Sequence, residues 1–281
     1  NKAILVGDQN QLPHYLETKS VRDLAKKLDI QNDSLTSVLQ ESLFSRIFNL
    51  LKEAYEEKRI TLPRCITLVE QFRMHPQIGD FISHNFYDGV LVNGLDASQR
   101  RNSYGVYNQS SLAWIDVPKS KGQERRSRDR SVFREVEIDV LIDQLKTIID
   151  NLTSMPMENF PTIGVISYYS KQTSMIKKKM SSFAEVILDN ISIGTVDSFQ
   201  GKEFDIVFLL TTRSNQEKDI NKRIGFLTSK SRLNVSLSRA KRLLVIIGDS
   251  ETVAEDSKEV FNVHLQDLLF RCKSEGYYEK K

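Results

Sequence analysis

Short apolar runs rich in β-branched residues, set apart by helical patterns, constrain this chain more than any other feature. The runs fall at 3–6, 65–68, 112–117, 163–167, 191–195, 206–210 and 243–247. Helical patterns at 43–55, 132–149, 171–180 and 232–241 separate many of them. Strands of this kind alternating with helices predict an α/β fold, a mostly parallel sheet flanked by helices and buried on both faces. Right-handed crossovers then line the strand-end loops along one edge, where ligands usually sit.

A length of 281 residues allows one large domain or two modest ones, and an apolar share of 40% can fill a real core. No stretch approaches the roughly 20 apolar residues that a membrane span needs. Two distant cysteines, Cys65 and Cys272, make neither a metal site nor a disulfide framework, so a reducing cytoplasm is expected. The net charge of +3 is too small to indicate a polyanionic partner, which has to be argued from local patches. The chain opens on Ala3-Ile-Leu-Val6, which reads as a strand already under way in a longer protein.

Two segments break the alternation. Residues 17–39 are polar and helix-prone, as in an insertion or linker. Residues 119–130 carry six basic side chains against Glu124 and Asp129. That composition reads as a mobile loop, either solvated or tracking phosphates. The stretch after Asp249 is helical in pattern and ends in charged residues, as a closing helix and tail would.

Five polar motifs carry the chemistry. Gly7-Asp-Gln-Asn-Gln-Leu-Pro13 follows the first run, and Gln11 there can hold a water or a phosphate oxygen or simply belong to a polar turn. In Gln71-Phe-Arg-Met-His-Pro76, Pro76 suits a first helical turn and Arg73 suits a two-pronged phosphate contact. Phe72 can stack on a base or pack in the core, while His75, with no second ligand at metal spacing, reads as structural. In Thr195-Val-Asp-Ser-Phe-Gln-Gly-Lys-Glu203, Thr195 and Ser198 are hydroxyl donors of the sort that bind backbone phosphates. Gly201 lets backbone approach a ligand, and Glu203 can accept from a ribose hydroxyl. Arg239 follows a helical pattern and precedes a strand, where an arginine is costly unless it meets an anion, either a carboxylate or a triphosphate. Ser167, Tyr168 and Tyr169 end a strand, where hydroxyls and aromatics suit a single strand's phosphates and bases.

Together these motifs resemble the second RecA-like domain of superfamily 1 helicases, in the branch that includes the RNA-surveillance helicase of nonsense-mediated decay. Ile224-Gly-Phe-Leu227, Arg213-Ser-Asn215 and Arg232-Leu-Asn-Val-Ser-Leu-Ser-Arg239 strengthen the likeness, which covers 3–16, 43–95 and 163–250 and leaves weaker echoes at Ser131 and Glu137. The resemblance implies a RecA-like fold and an ATP-dependent, 5′-to-3′ motor on single-stranded RNA or DNA. It implies that Gln11 senses the terminal phosphate, that Arg73 and Arg239 contact it, and that Phe72 stacks on adenine. Gly201, Lys202 and Glu203 are then on the nucleotide side, and Ser167, Tyr168, Tyr169, Thr195 and Ser198 on the nucleic-acid side. His14 stands where relatives usually carry a second proline.

No Gly-x-x-x-x-Gly-Lys-Ser/Thr loop occurs, nor an Asp-Glu pair ending a strand to hold Mg²⁺. By the likeness, ATP and Mg²⁺ are held mainly by a first RecA-like domain, and this chain alone is expected to be inactive. The expected organisation is 1–16 from the first domain, 17–42 as linker or insertion, 43–250 as the second domain, and 251–281 as a closing helix and tail. The alternative is a non-catalytic nucleic-acid-binding module on a degenerate motor scaffold.

Overall fold

The computed structural model describes residues 3–12, 18–29, 42–152, 160–256 and 259–281. They divide into two compact units, Asn1–Val69 and Glu70–Lys281. The first holds the helices Thr18–Leu28 and Leu43–Glu56, the second of them capped by the Ser42 side chain. Residues 17 and 30–41 of the expected linker, and His14 before it, lie outside the described residues. Two expected strands do not form in this unit. Ile4 and Val6 are each 91% exposed and Ile66 and Leu68 each 83%, all in irregular backbone. A strand is a paired state, and no described residue of that unit supplies a ladder for them.

In the Glu70–Lys281 unit, β1 (Glu70–Gln71) and β2 (Val92–Asn93) form a short parallel pair. The main sheet takes β3 (Leu112–Asp116) from the segment ahead of a hairpin, β4 (Arg125–Arg126) with β5 (Val132–Phe133). Then follow β6 (Ile163–Ser167), β7 (Ile191–Thr195), β8 (Phe204–Leu210), β9 (Ala240–Gly248) and β10 (Tyr277–Lys280). Its strand order is β10-β3-β9-β8-β6-β7, with every neighbouring pair parallel. The charged C-terminal tail is therefore an edge strand. β3, β6 and most of β8 and β9 are buried, as a sheet covered on both faces requires. Helix Glu135–Leu152 lays Ile138, Leu141, Ile142, Leu145 and Ile148 into the same apolar cluster as Val165, Phe208 and Val245. Each such side chain stabilises the fold by about 1.5–3 kcal/mol. No helix among the described residues is long and apolar enough to cross a membrane.

Two departures from the sequence reading bear on the site. The helix expected at 232–241 runs over Lys230–Leu237, and Arg239 occupies the tight turn before β9. The basic stretch is a docked hairpin and not a mobile loop. Both Glu124 oxygens are engaged: Oε2 accepts from the Ser214 N–H at 2.7 Å and the Asn215 amide at 2.8 Å, while Oε1 pairs with Arg213 at 3.2 Å. Arg134, buried, donates to the Gly122, Val117 and Pro118 carbonyls and to Glu137. These partners lie far along the chain, so composition alone could not reveal them.

Candidate functional site

The turn from β1 into helix Pro76–Phe86 is built by its own polar residues. Gln71 Oε1 accepts from the N–H groups of Arg73 at 3.0 Å and Met74 at 2.8 Å, while its amide donates to the Met74 carbonyl and to Asn93. Pro76 opens the helix, and His75 Nδ1 accepts from the Gln77 N–H at 3.1 Å. His75 is thus a helix cap; burial, partly opposed by Asp80, holds its pKa below the usual value. Phe72 is 56% exposed and lies against Gly94, where a Cβ would fall 2.3 Å from the ring. Its face is a platform on the surface and not part of the core.

From that turn Arg73 reaches across to the other motifs. Its Nε donates to Glu203 Oε2 at 2.9 Å, and its Nη1 donates to the Ser238 carbonyl at 3.3 Å. Arg239, only 1% exposed, is fixed from the same corner. Nε donates to the Val235 carbonyl at 2.9 Å, Nη1 to the Lys202 carbonyl at 3.1 Å and Nη2 to Ser238 Oγ at 2.9 Å. The two arginines, distant in the chain, therefore meet at one residue, Ser238, Arg73 at its carbonyl and Arg239 at its hydroxyl, and both touch the Lys202-Glu203 segment. The Arg73 hydrogen bond is the main reason the Glu203 carboxyl sits below its ordinary range; Lys241 and Arg100 add to it against a small burial penalty. Gly201, with φ +78°, makes the bend that returns the chain to β8 here.

Arg100 was missed by sequence reasoning. Its Nε donates to the Arg73 carbonyl at 2.9 Å and its Nη2 to the Phe72 carbonyl at 3.1 Å, bracing the backbone of both residues. It ends a short 3₁₀ turn started by a capping box between Asp96 and Gln99, and that Asp-x-x-Gln spacing was the available signal.

This cluster lies at the amino ends of β8 and β9, whereas Ser167, Tyr168 and Thr195 lie at or beside the carboxyl ends of β6 and β7. The motifs therefore do not share one edge of the sheet. A seven-residue strand at about 3.3 Å per residue separates the two edges by roughly 20 Å. One segment joins them: from Thr195 it crosses β6 through the turn Val196–Phe199 and arrives at Glu203. Gly164 of β6 allows the crossing, since a Cβ there would meet Phe204 at 2.8 Å and Phe199 at 3.1 Å.

At the far edge the expected contacts differ in how they are presented. Ser167 is fully buried and shares a 3.1 Å hydrogen bond with Thr212. Tyr168 is buried with its hydroxyl 2.9 Å from Ser236 Oγ, and the Tyr169 hydroxyl accepts from Arg213. Thr195 is half-buried, and Ser198 is exposed while donating to the Thr195 carbonyl at 2.7 Å. Gln11 belongs to the other unit; there its amide donates to Asp8 Oδ2 at 2.7 Å within a turn.

Comparison with known proteins bears on this arrangement. A family described as "AAA domain" matches residues 39–251. Helicase sen1 of Schizosaccharomyces pombe is 33% identical over 96% of the chain, which spans 14% of that protein. The DNA polymerase alpha-associated DNA helicase A of Saccharomyces cerevisiae is 31% identical over 90% of the chain and 35% of its own length. ATP-dependent helicase upf1 of Schizosaccharomyces pombe is 28% identical over 98% of the chain and 26% of its own. The chain thus spans about a third or less of these relatives. With these matches and its parallel α/β sheet, the chain belongs to the superfamily 1 helicases of the Upf1-like branch and corresponds to their second RecA-like domain.

Proposed function

We propose that this chain is the second motor domain of an ATP-dependent helicase or translocase acting on single-stranded RNA or DNA. The observation that carries the reading is the convergence of Arg73 and Arg239 on Ser238, beside Lys202 and Glu203. Two guanidinium groups, Arg73 braced from behind by Arg100, and one exposed carboxylate form a set suited to phosphoryl oxygens and a ribose hydroxyl. The exposed Phe72 ring suits adenine. ATP supplies the free energy of phosphoryl transfer, and Mg²⁺ with the phosphates is held mainly by the first RecA-like domain.

In this reading Arg239 has its head oriented in advance by three hydrogen bonds, so it stabilises developing charge without reorganising. Arg73 is more exposed and exchangeable; Glu203 restrains it until a phosphoryl group competes. Gln11 reports the terminal phosphate from the first domain's sensor loop. We take 1–16 as belonging to that domain, 17–42 as linker, 43–250 as the second domain and 251–281 as its closing helix and edge strand. The free cysteines support a reducing compartment, the cytoplasm.

The test uses the full-length protein. Single strands should stimulate ATP hydrolysis, and Arg239→Ala should lower the rate by about 10³-fold or more, as for other arginine fingers. Hydrolysis by Arg239→Ala near the wild-type rate removes the assignment. The 281-residue chain by itself should release no phosphate, and stimulated release from it would count against the division of labour.

A further inference from the structure

The parallel pair of β1 with β2 sets Gln71 beside Asn93, one from each strand. Their amides join in series. Gln71 Nε2 donates to Asn93 Oδ1 at 2.6 Å, and Asn93 Nδ2 donates to Asp80 Oδ1 at 2.6 Å. An ionised carboxylate can only accept, so Asp80 fixes which way each amide faces. Gln71 is left with its carbonyl oxygen toward the turn, where it takes the Arg73 and Met74 N–H groups. A flip of that amide would set its NH₂ group against both of them.

Helix Pro76–Phe86 makes room for this relay and ends it. Gly79 is buried in the helix, and a Cβ there would fall 2.1 Å from Asn93 Oδ1 and 2.7 Å from Gln71 Nε2. Glycine weakens a helix interior relative to alanine, so its place here answers to the two amides. Asp80, the terminal acceptor, is the next residue.

Gly94, directly after Asn93, serves the other expected contact. Its N–H donates to the Gln71 carbonyl at 2.9 Å, and its missing side chain leaves the seat for the Phe72 ring. The backbone of Arg73 is therefore held on both sides, its N–H by Gln71 and its carbonyl by Arg100. Its partly exposed side chain can exchange partners while the turn beneath it stays fixed.

Resting on the nucleotide reading above, we propose that Asn93 and Gly94 are positioning residues with separate tasks. Asn93, through Gln71, fixes the turn that aims Arg73 at a phosphoryl group, and Gly94 seats Phe72 for the base. The tasks separate in steady-state ATP hydrolysis by the full-length protein, saturated with single strand. Asn93→Leu should lower kcat about tenfold and leave KM for ATP nearly unchanged, because it misplaces a group that acts on the reacting phosphate. Gly94→Ala, whose methyl displaces the Phe72 ring, should raise KM about tenfold with kcat near wild type, as loss of a stacked base would. In an Arg73→Met background Asn93→Leu should cost no further rate, since the relay works only through Arg73. Asn93→Asp sets two carboxylates against each other and should be slow; adding Asp80→Asn again gives an acceptor a donor and should restore most of the rate. That swap preserves volume, so it tests the relay even where the leucine variant folds poorly. Equal changes of kcat and KM in both single variants, a full further loss in the Arg73→Met background, or no recovery in the swap would overturn the proposal. So would Asn93→Leu at the wild-type rate while Arg73→Met is slow. Arg73→Met at the wild-type rate overturns the parent reading instead.

Discussion

If Arg73 contacts a phosphoryl group as proposed, Arg73→Met separates chemistry from scaffolding, because the two effects differ far in size. Arg73 makes two visible bonds, to Glu203 and to the Ser238 carbonyl, and its side chain is about one-third exposed against half for Glu203. An ion pair so wet contributes about 0.2–1 kcal/mol, and the carbonyl bond about 1 kcal/mol more. Methionine keeps most of the volume, so the loss of stability should stay near 2 kcal/mol or below. For a protein of this size that lowers the midpoint by about 4–8 °C. A donor that meets charge developing only in the transition state is worth about 2.7–4 kcal/mol, or 10²–10³ in kcat. Single-turnover hydrolysis by the full-length protein, saturated with single strand, should therefore fall by at least 10²-fold at a temperature where both proteins are folded. Glu203→Gln should leave Arg73 unrestrained and lower the rate far less. A rate for Arg73→Met within threefold of wild type would mean that Arg73 serves only to hold Glu203, and the phosphate assignment would fail.

Two further perturbations test the surroundings. Arg100→Met removes the brace on the Phe72 and Arg73 carbonyls without touching a ligand, so it should lower kcat by about tenfold in nucleotide turnover assays with little change in midpoint. Arg100→Lys, which cannot span both carbonyls, should rescue little, whereas full rescue would mean that charge alone matters. Glu137 is fully buried, and burial pushes its carboxyl up to about 7, against the opposing pull of Arg134 and the Thr212 N–H. A raised acid pKa means the folded state holds the proton that the unfolded state releases. The contribution is therefore full below about 4.5 and is lost as pH rises through about 7, by at most about 3 kcal/mol. The difference in midpoint between wild type and Glu137→Gln should vary across that window, and a constant difference would show that Glu137 is ionised throughout. Comparing the two proteins cancels the depressed histidines His75 and His264, which act in the opposite sense as pH falls.

What the sequence could reveal depended on whether the information was local. The runs at 112–117, 163–167, 191–195, 206–210 and 243–247 became β3, β6, β7, β8 and β9, because continuous β-branched stretches between helices suit only a buried sheet. The runs at 3–6 and 65–68 carry the same local signal and form no strand, since propensity cannot report whether a neighbouring ladder exists. Val235 and Leu237 fit a helix that continues through Arg239, but Ser238 ends it and turns the chain into β9. The pairing of Arg73 with Glu203 spans 130 positions and left no trace in spacing. The chemistry of each partner was readable; their meeting was not. The aromatic corner fared differently again. Ser167 and Tyr168 look like free hydroxyls in sequence, yet buried hydroxyls find partners, here Thr212 and Ser236.

The two edges suggest how a motor of this kind communicates. Two short segments run across the sheet from its carboxyl edge toward the arginines. One runs from Thr195 to Glu203, and the other is helix Lys230–Leu237, which starts beside Phe226 and ends at Ser238. They are tied to each other partway, through Arg232 with Asp197 at 3.6 Å, and the helix is tied to the corner through Ser236 with the Tyr168 hydroxyl. Packed interiors transmit displacement because they compress little. On the proposed function, a phosphate that draws Arg73 from Glu203 would free one end of a segment whose other end is Thr195. Coupling by this route makes a definite demand: Arg232→Met, which breaks the tie to Asp197 and also removes the cation 4.9 Å from the Phe226 ring, should reduce stimulation of hydrolysis by single strands more than it reduces affinity for either ligand. Equal losses in all three would show that Arg232 merely supports Phe226, and that communication between the edges runs elsewhere.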